Sequence, residues 1–266
     1  MRDLLWYDPN AEPAAPDQVL SHPDPVKRAQ AAMKRDLPKR FWTEVSVGET
    51  GEGGFRILLD GRPVKTPGRR DLVLPNARVA EAVAEEWRAQ TTHLDPTTMP
   101  LTRIVNSVVD AVVDRRDEVA ADAVNYAGTD LLCYRAEAPE RLVARQSAAW
   151  DPLLDWIDEA HGARLLVAEG VVHVTQDSDA LDALRRRADA LDVWTLAGLH
   201  VVTTLTGSFV VALALVEGRL EPDDAWTIAH LDEAWNAELW GADHEAEARL
   251  AHRRAEFDAA VRLIGR

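Results

Sequence analysis

From Val193 to Val216 the chain carries no formally charged residue. A bilayer span needs about 20 mostly apolar residues, so this stretch must either cross a membrane or lie buried in protein. Its polar residues decide. Thr195, His200, Thr203, Thr204, Thr206, Gly207 and Ser208 stand inside it. Acidic residues flank both ends, with no Lys/Arg cluster to anchor a span. The stretch predicts a buried helix or helix pair, broken near Gly207, at the centre of a helical domain. Stable membrane insertion is not expected.

Elsewhere the charge is lopsided. Of 266 residues, 30 are Lys or Arg and 45 are Asp or Glu, a formal net charge of −15. A nucleic-acid binder neutralises phosphates with clustered cations, so this balance argues against that class. Hydrophobic residues make up 47%, enough for a real core and too many for a wholly disordered chain. The single cysteine, Cys133, allows no intramolecular disulfide and no thiolate metal cage.

The chain reads as three parts. Residues 1–37 are rich in Pro and Asp and read as an arm, with one helical turn around Val26 to Arg35. Residues 38–98 read as a small β-containing domain. FWTEVSV alternates, placing Phe41, Thr43, Val45 and Val47 on one face. Asp60-Gly61 is a two-residue hairpin signal, and Leu72 to Leu74 reads as another short strand. From Pro75-Asn76 a helix carries Val79, Val83 and Trp87 on one apolar stripe.

Residues 99–266 read as helical. Expected helices include one over Pro139 to Glu159, kinked or split at Pro152, one over Ser178 to Leu191, one opening at Pro222, and a last from about Ala242 to Ile264. A short extended piece is expected at Val171 to Thr175. The fold class is therefore α+β: a small N-terminal antiparallel sheet with a helix, then a larger helical bundle.

Familiar catalytic signatures fail on their surroundings. GETGEGG precedes a strand, not a helix, and its glutamates repel phosphate, so it reads as a hairpin loop. No P-loop and no G-x-S-x-G elbow occur. His230 with Glu233, and His244 with Glu247, are three apart, but in the reverse order to the Glu-x-x-His of di-metal bundles. No metal or other cofactor is assigned. Cys133 has no histidine close in sequence and reads as a core residue, although an enzyme using it or a His/Glu pair stays open as an alternative.

The most unusual segment runs from Glu217 to Glu247, with ten acidic residues and one basic residue, Arg219. Within it, LDEAWNAELWGADHEAE interleaves Trp235 and Trp240 with Asp232, Glu233, Glu238, Asp243 and Glu245. One reading is a solvated helix face with its tryptophans packed inward. The other is a protein-binding patch, with aromatic anchors and carboxylates that steer a basic partner.

Several segments in series resemble a known family: KRFW at 39–42, LDGRPVKTP at 59–67, EEW at 85–87 with Gln90, MPLTR at 99–103, TDLLCYR at 129–135, WDPLLDW at 150–156, TGSFVVALAL at 206–215, and LDEAWNAELWGADHEAE at 231–247. They resemble the ATP12-type assembly chaperones of the F1 sector of ATP synthase. The resemblance runs from about residue 39 to the end.

It implies a two-domain, non-catalytic protein that binds the free α subunit and keeps its interface from aggregating until β subunits replace the chaperone. Within LDEAW it points to Glu233 as the functional carboxylate, with Glu238 as fallback and Asp232, Trp235, Trp240 and Glu245 as further partner contacts. Arg62 and Lys65 are secondary candidates. The N-terminus shows no secretory apolar core, and its acids come early for a transit peptide, so a bacterial, cytoplasmic member is expected; an acidic monomer is the default expectation.

Overall fold

The first hairpin forms where the sequence supplies positive φ. Asp60 and Gly61 have φ of 47° and 77° and join β2 (Phe55–Leu59) to β3 (Arg62–Pro63), a two-residue turn of the I′ kind. Asp60 also accepts the Glu44 N–H at 2.8 Å and the Thr43 hydroxyl at 2.9 Å, which fixes the approach to β1 (Val45–Glu49). The three strands are antiparallel in the order β1-β2-β3. The Gly-Glu segment ends β1 with Gly48 and Glu49, and its remainder, residues 50–54, is the loop to β2.

The structure, a computed structural model, describes residues 37–266 apart from Val171 and residues 242–243. The arm and its expected helical turn lie outside the described residues. The chain divides into two compact units, with the boundary between Ser107 and Val108.

In the first unit, α1 (Ala77–Ala89) is capped by Asn76, which accepts the Val79 N–H at 2.9 Å. The helix buries Val79, Ala80, Val83, Ala84 and Trp87 and packs on β1 and β2. Two local readings are corrected. Phe41 is 78% exposed and precedes the strand, while Trp42 is buried. Trp42 meets Trp87 with ring centroids 5.1 Å apart, so the larger indole takes the core position. Leu72 and Leu74 are buried, but only an isolated bridge from Leu74 to Phe55 forms there.

The residues of EEW, Gln90 and MPLTR meet inside this unit. Glu86 accepts the N–H groups of Leu101 and Thr102 at 2.8 and 2.7 Å and the Thr102 hydroxyl at 2.6 Å. It thereby serves the open first turn of α2 (Pro100–Ser107). Gln90 bonds the Asp95 N–H and the Thr98 hydroxyl, pinning the intervening loop. α2 lies past the residue-98 boundary drawn from sequence, and Glu86 is what holds it to the sheet unit.

The second unit begins with a π turn (Val108–Val112) and continues through α3 (Arg116–Ala127). A single 3-10 turn follows, then β4 (Tyr134–Arg135), α4 (Glu140–His161) and β5 (Ala168–Glu169). Pro152 does not split α4. The extended pairing falls at β5, parallel to β4; of the expected Val171 to Thr175 piece, Val172 to Thr175 form no strand and Val171 lies outside the described residues. Then come α5 (Ser178–Asp189), α6 (Val193–Thr206), α7 (Phe209–Val216), α8 (Pro222–Ala229), α9 (Leu231–Trp240) and α10 (His244–Ile264).

The uncharged stretch is α6 and α7, separated at Gly207 with φ 73°. α6 packs on α3, α7 and α10. A Cβ at Gly198 would sit 2.6 Å from Ile264, so glycine permits the close approach of α6 and α10. Every residue of α7 from Phe209 to Leu215 is buried, which explains its lack of charge. No described helix is long and apolar enough to cross a membrane.

Since the first turn of α7 is buried, its N–H groups need protein acceptors. Ser208 accepts the Val211 N–H at 3.0 Å. Asp130, fully buried, accepts Val210 N–H at 3.1 Å with one oxygen and its own Leu132 N–H at 3.1 Å with the other. The Ser208 hydroxyl and the Phe209 N–H add to these. Downstream, Arg135 donates to Leu132 O at 2.9 Å, pairs with Asp151 at 2.8 Å and lies 5.1 Å over the Trp150 ring. These contacts join TDLLCYR, WDPLLDW and TGSF into one cluster, buried except at Asp151.

Two predictions follow from these caps. Glu86→Ala leaves two α2 N–H groups without their charged acceptor and should cost roughly 1.5–3 kcal/mol in denaturant unfolding; a loss below about 0.5 kcal/mol would remove the capping role. Burial raises the Asp130 carboxyl from 3.8 to about 6, against the donors around it. The folded chain therefore holds this proton more tightly than the unfolded chain. The associated stability is full below about pH 4 and lost as pH rises through about 6, on the order of 3 kcal/mol. Asp130→Asn should flatten that slope. An NMR titration midpoint near 4 for Asp130 would contradict the assignment.

Candidate functional site

The acidic tract folds as α8, α9 and the start of α10, and α4 holds the first two. Trp150 on α4 donates its indole N–H to Ile228 O at 3.0 Å, fixing the end of α8. Gln146 donates to Asp232 at 2.8 Å and accepts the Ala136 N–H at 2.8 Å. Arg145 makes two hydrogen bonds to the Glu238 carboxylate, each 2.9 Å, and its guanidinium lies 5.8 Å from the Trp235 ring centroid. The Arg145 hydrogen bonds hold the Glu238 carboxyl below its usual range. Leu231 and Trp235 are the buried residues of α9.

The candidate residues thus separate by role. Asp232, Trp235 and Glu238 attach α9 to α4. Glu245, on α10, pairs with Arg249 four residues on at 2.7 Å. Glu233 is exposed, and no ion pair or hydrogen bond holds it among the described residues. Its electrostatic neighbour is His230, whose charged form it favours.

Helical spacing places Glu233, Ala237 and Trp240 at i, i+4 and i+7, one outward stripe. Trp240 is 84% exposed and Leu239 beside it 55%. Among the described residues these are two of the few large apolar side chains left in water, and they end the acidic helix. Sequence reasoning did not single out Leu239. It also missed Arg145, which is 93 positions from Glu238 and carries no motif signal. Arg62 and Lys65 belong to the first unit. Arg62 is exposed on β3, and Lys65 pairs with Asp71 at 3.4 Å.

The alternatives look different in place. His230 stacks on Trp226 with centroids 3.9 Å apart, and burial lowers its pKa. No group of three metal-ligating side chains occurs among the described residues. The Cys133 thiol is buried, and burial first, with Asp130 second, pushes it up to about 12, so it is protonated at neutral pH.

The comparisons agree with this architecture. A family model described as ATP12 chaperone protein matches residues 39–158. The crystal structure of Atp12 from Paracoccus denitrificans is 44% identical, covers 85% of this chain and 97% of that one, and has a TM-score of 0.78. The chain belongs to the ATP12 chaperone family.

A mutant of the Paracoccus Atp12p, with lysine in place of one aspartate, also matches, at 43% identity over 85% of this chain and 96% of that one, again with a TM-score of 0.78. Protein atp12, mitochondrial, of Schizosaccharomyces pombe is 23% identical over 231 residues, 82% of this chain and 79% of its own length. This ATP12 family member has a small antiparallel sheet and a mostly helical second part, and its fold matches that of the Paracoccus structure.

The tryptophans provide a direct check of the two roles. Trp150→Ala should cost roughly 3–5 kcal/mol in denaturant unfolding, because it opens the core and leaves Ile228 O without its donor. Trp240→Ala should change stability by less than about 0.5 kcal/mol. A large loss for Trp240→Ala would mean that this side chain is structural.

Proposed function

We propose that this chain binds the free α subunit of the F1 sector of ATP synthase and shields its interface until β subunits take its place. It acts without catalysis or cofactor, as a monomer in the bacterial cytoplasm. The outward stripe of α9 provides the contact, with Trp240 as the apolar anchor and Glu233 at the rim. The observation that carries this reading is the division within the tract. Asp232, Trp235 and Glu238 are committed to α4, whereas Glu233 and Trp240 face solvent with no ion pair or hydrogen bond among the described residues.

The physics supports a holder. A subunit awaiting its neighbours exposes apolar surface that aggregates. The holder must cover that surface and then yield to the proper partner. A carboxylate steers the encounter with a basic surface, and an aromatic side chain supplies buried area on docking. Three contacts from α4 keep α9 presented before the partner arrives, which lowers the ordering cost. Asp232, Glu238 and Trp235 then act by positioning the helix, and Glu245 flanks it. Arg62 and Lys65 form a secondary contact on the first unit.

The test is light scattering of purified α subunit with and without this protein, followed by size exclusion of the mixture. Near-stoichiometric suppression and a co-eluting complex, with no nucleotide needed, are expected. Glu233→Lys should weaken the complex about tenfold or more with the melting temperature unchanged. Aspartate-to-lysine replacement is compatible with the fold in the Paracoccus relative. Unaltered affinity would remove Glu233 from the contact, and failure to suppress aggregation would sink the α-subunit reading.

A further inference from the structure

Beside the stripe lies a groove that neither sequence motif nor charge pattern indicates. α4 contributes Arg145, Ala148 and Ala149 to it, and α8 with α9 contribute Ile228, Leu231 and Ala234. The space is about 310 Å³ and its lining is mainly aliphatic. Thr227 lines it too, and the Arg145 charge is met by the bidentate contact to Glu238. Ala148 and Ala234 are themselves exposed, so the groove is open to a partner.

Charge narrows the occupant. From Glu221 to Trp240 the chain has six carboxylates and no Lys or Arg. Arg254 holds Asp223, Arg145 holds Glu238 and Gln146 holds Asp232. Glu221, Asp224 and Glu233 carry the remaining negative charge along the same helices. On α9, the helical angle from Ala234 to Glu233 is spanned by Ala237, so no bulky side chain stands between the groove and the stripe. One segment of a partner can therefore fill the groove and reach Glu233.

We infer that the groove seats an aliphatic or aromatic side chain of the client, from a segment that carries Lys or Arg within about one helical turn of it. The inference rests on the α-subunit reading above and specifies which chemistry of that subunit is recognised. An apolar anchor in a partly enclosed site, with charge at the rim, is the arrangement in which few residues dominate binding. A second copy of this chain is disfavoured as occupant, because each copy carries −15.

The experiment uses the full chain and purified α subunit. Ala148→Phe and Ala234→Phe fill the groove from opposite walls, and both positions are exposed, so folding should survive in at least one. Ala234→Ser leaves the space open. Titration calorimetry should show the phenylalanine variants weaker by about tenfold or more, with Ala234→Ser close to the parent and melting temperatures unchanged.

Parent-like binding by a folded phenylalanine variant overturns the groove, even while Glu233→Lys still weakens the complex and upholds the α-subunit reading. If the parent chain binds no α subunit, that reading fails and the groove loses its occupant with it. A variant that alters self-association of the chain alone would assign the groove to a second copy and overturn the inference.

Discussion

The Asp130 carboxylate, with no solvent contact, organises the helical unit. α7 is buried along its length, so its first N–H groups cannot turn to water. Asp130 reaches them from a segment 80 positions earlier in the chain. Burial opposes the charge, while the hydrogen bonds and the positive end of the helix favour it. The geometry then propagates. Five residues on, Arg135 contacts Asp151 and Trp150 of α4. α4 in turn holds Ile228, Asp232 and Glu238. The posture of the acidic helix is therefore set by contacts that begin at a buried cap.

The same chain of contacts explains why most of the recognisable motifs are structural. Glu86, Gln90, Asp130 and Arg135 all act on backbone groups that would otherwise lack partners. Such roles demand a particular donor or acceptor at a particular place, which gives a segment a distinctive sequence without giving it a partner. Residues such as Glu233 and Trp240 have no comparable duty inside the fold, and their exposure is the more informative property.

How much was legible follows from where the determining forces act. The hairpin at Asp60-Gly61, the stripe of Val79, Val83 and Trp87, and the break at Gly207 are local, and periodicity or backbone preference exposes them. Phe41 misled because alternation alone cannot show that Trp42 has a second indole, Trp87, waiting 45 positions away. The acidic tract was visible by composition, but not its internal division. Asp232, Glu233 and Glu238 look alike in a list. They differ only in what α4 places opposite them, and Arg145 and Gln146 carry no local sign of that task. Between Pro222 and the last helix the sequence suggests a single helix, whereas α8 and α9 part at His230, where the ring stacks back on Trp226.

An exposed tryptophan beside an unpaired carboxylate has a consequence for reversibility. An isolated carboxylate attracts a basic partner over about a Debye length but contributes little once docked at a wet rim. An indole does the reverse, contributing only after contact. On the proposed function, joining the two on a pre-held helix separates capture from retention, so retention depends on a small buried area, not on charge. A competitor that covers the same client surface with a larger apolar interface then displaces the holder by mass action, with no energy source in the holder itself. The proposed groove fits that logic. It adds one more anchor to the retained area while leaving the contact far smaller than a permanent subunit interface.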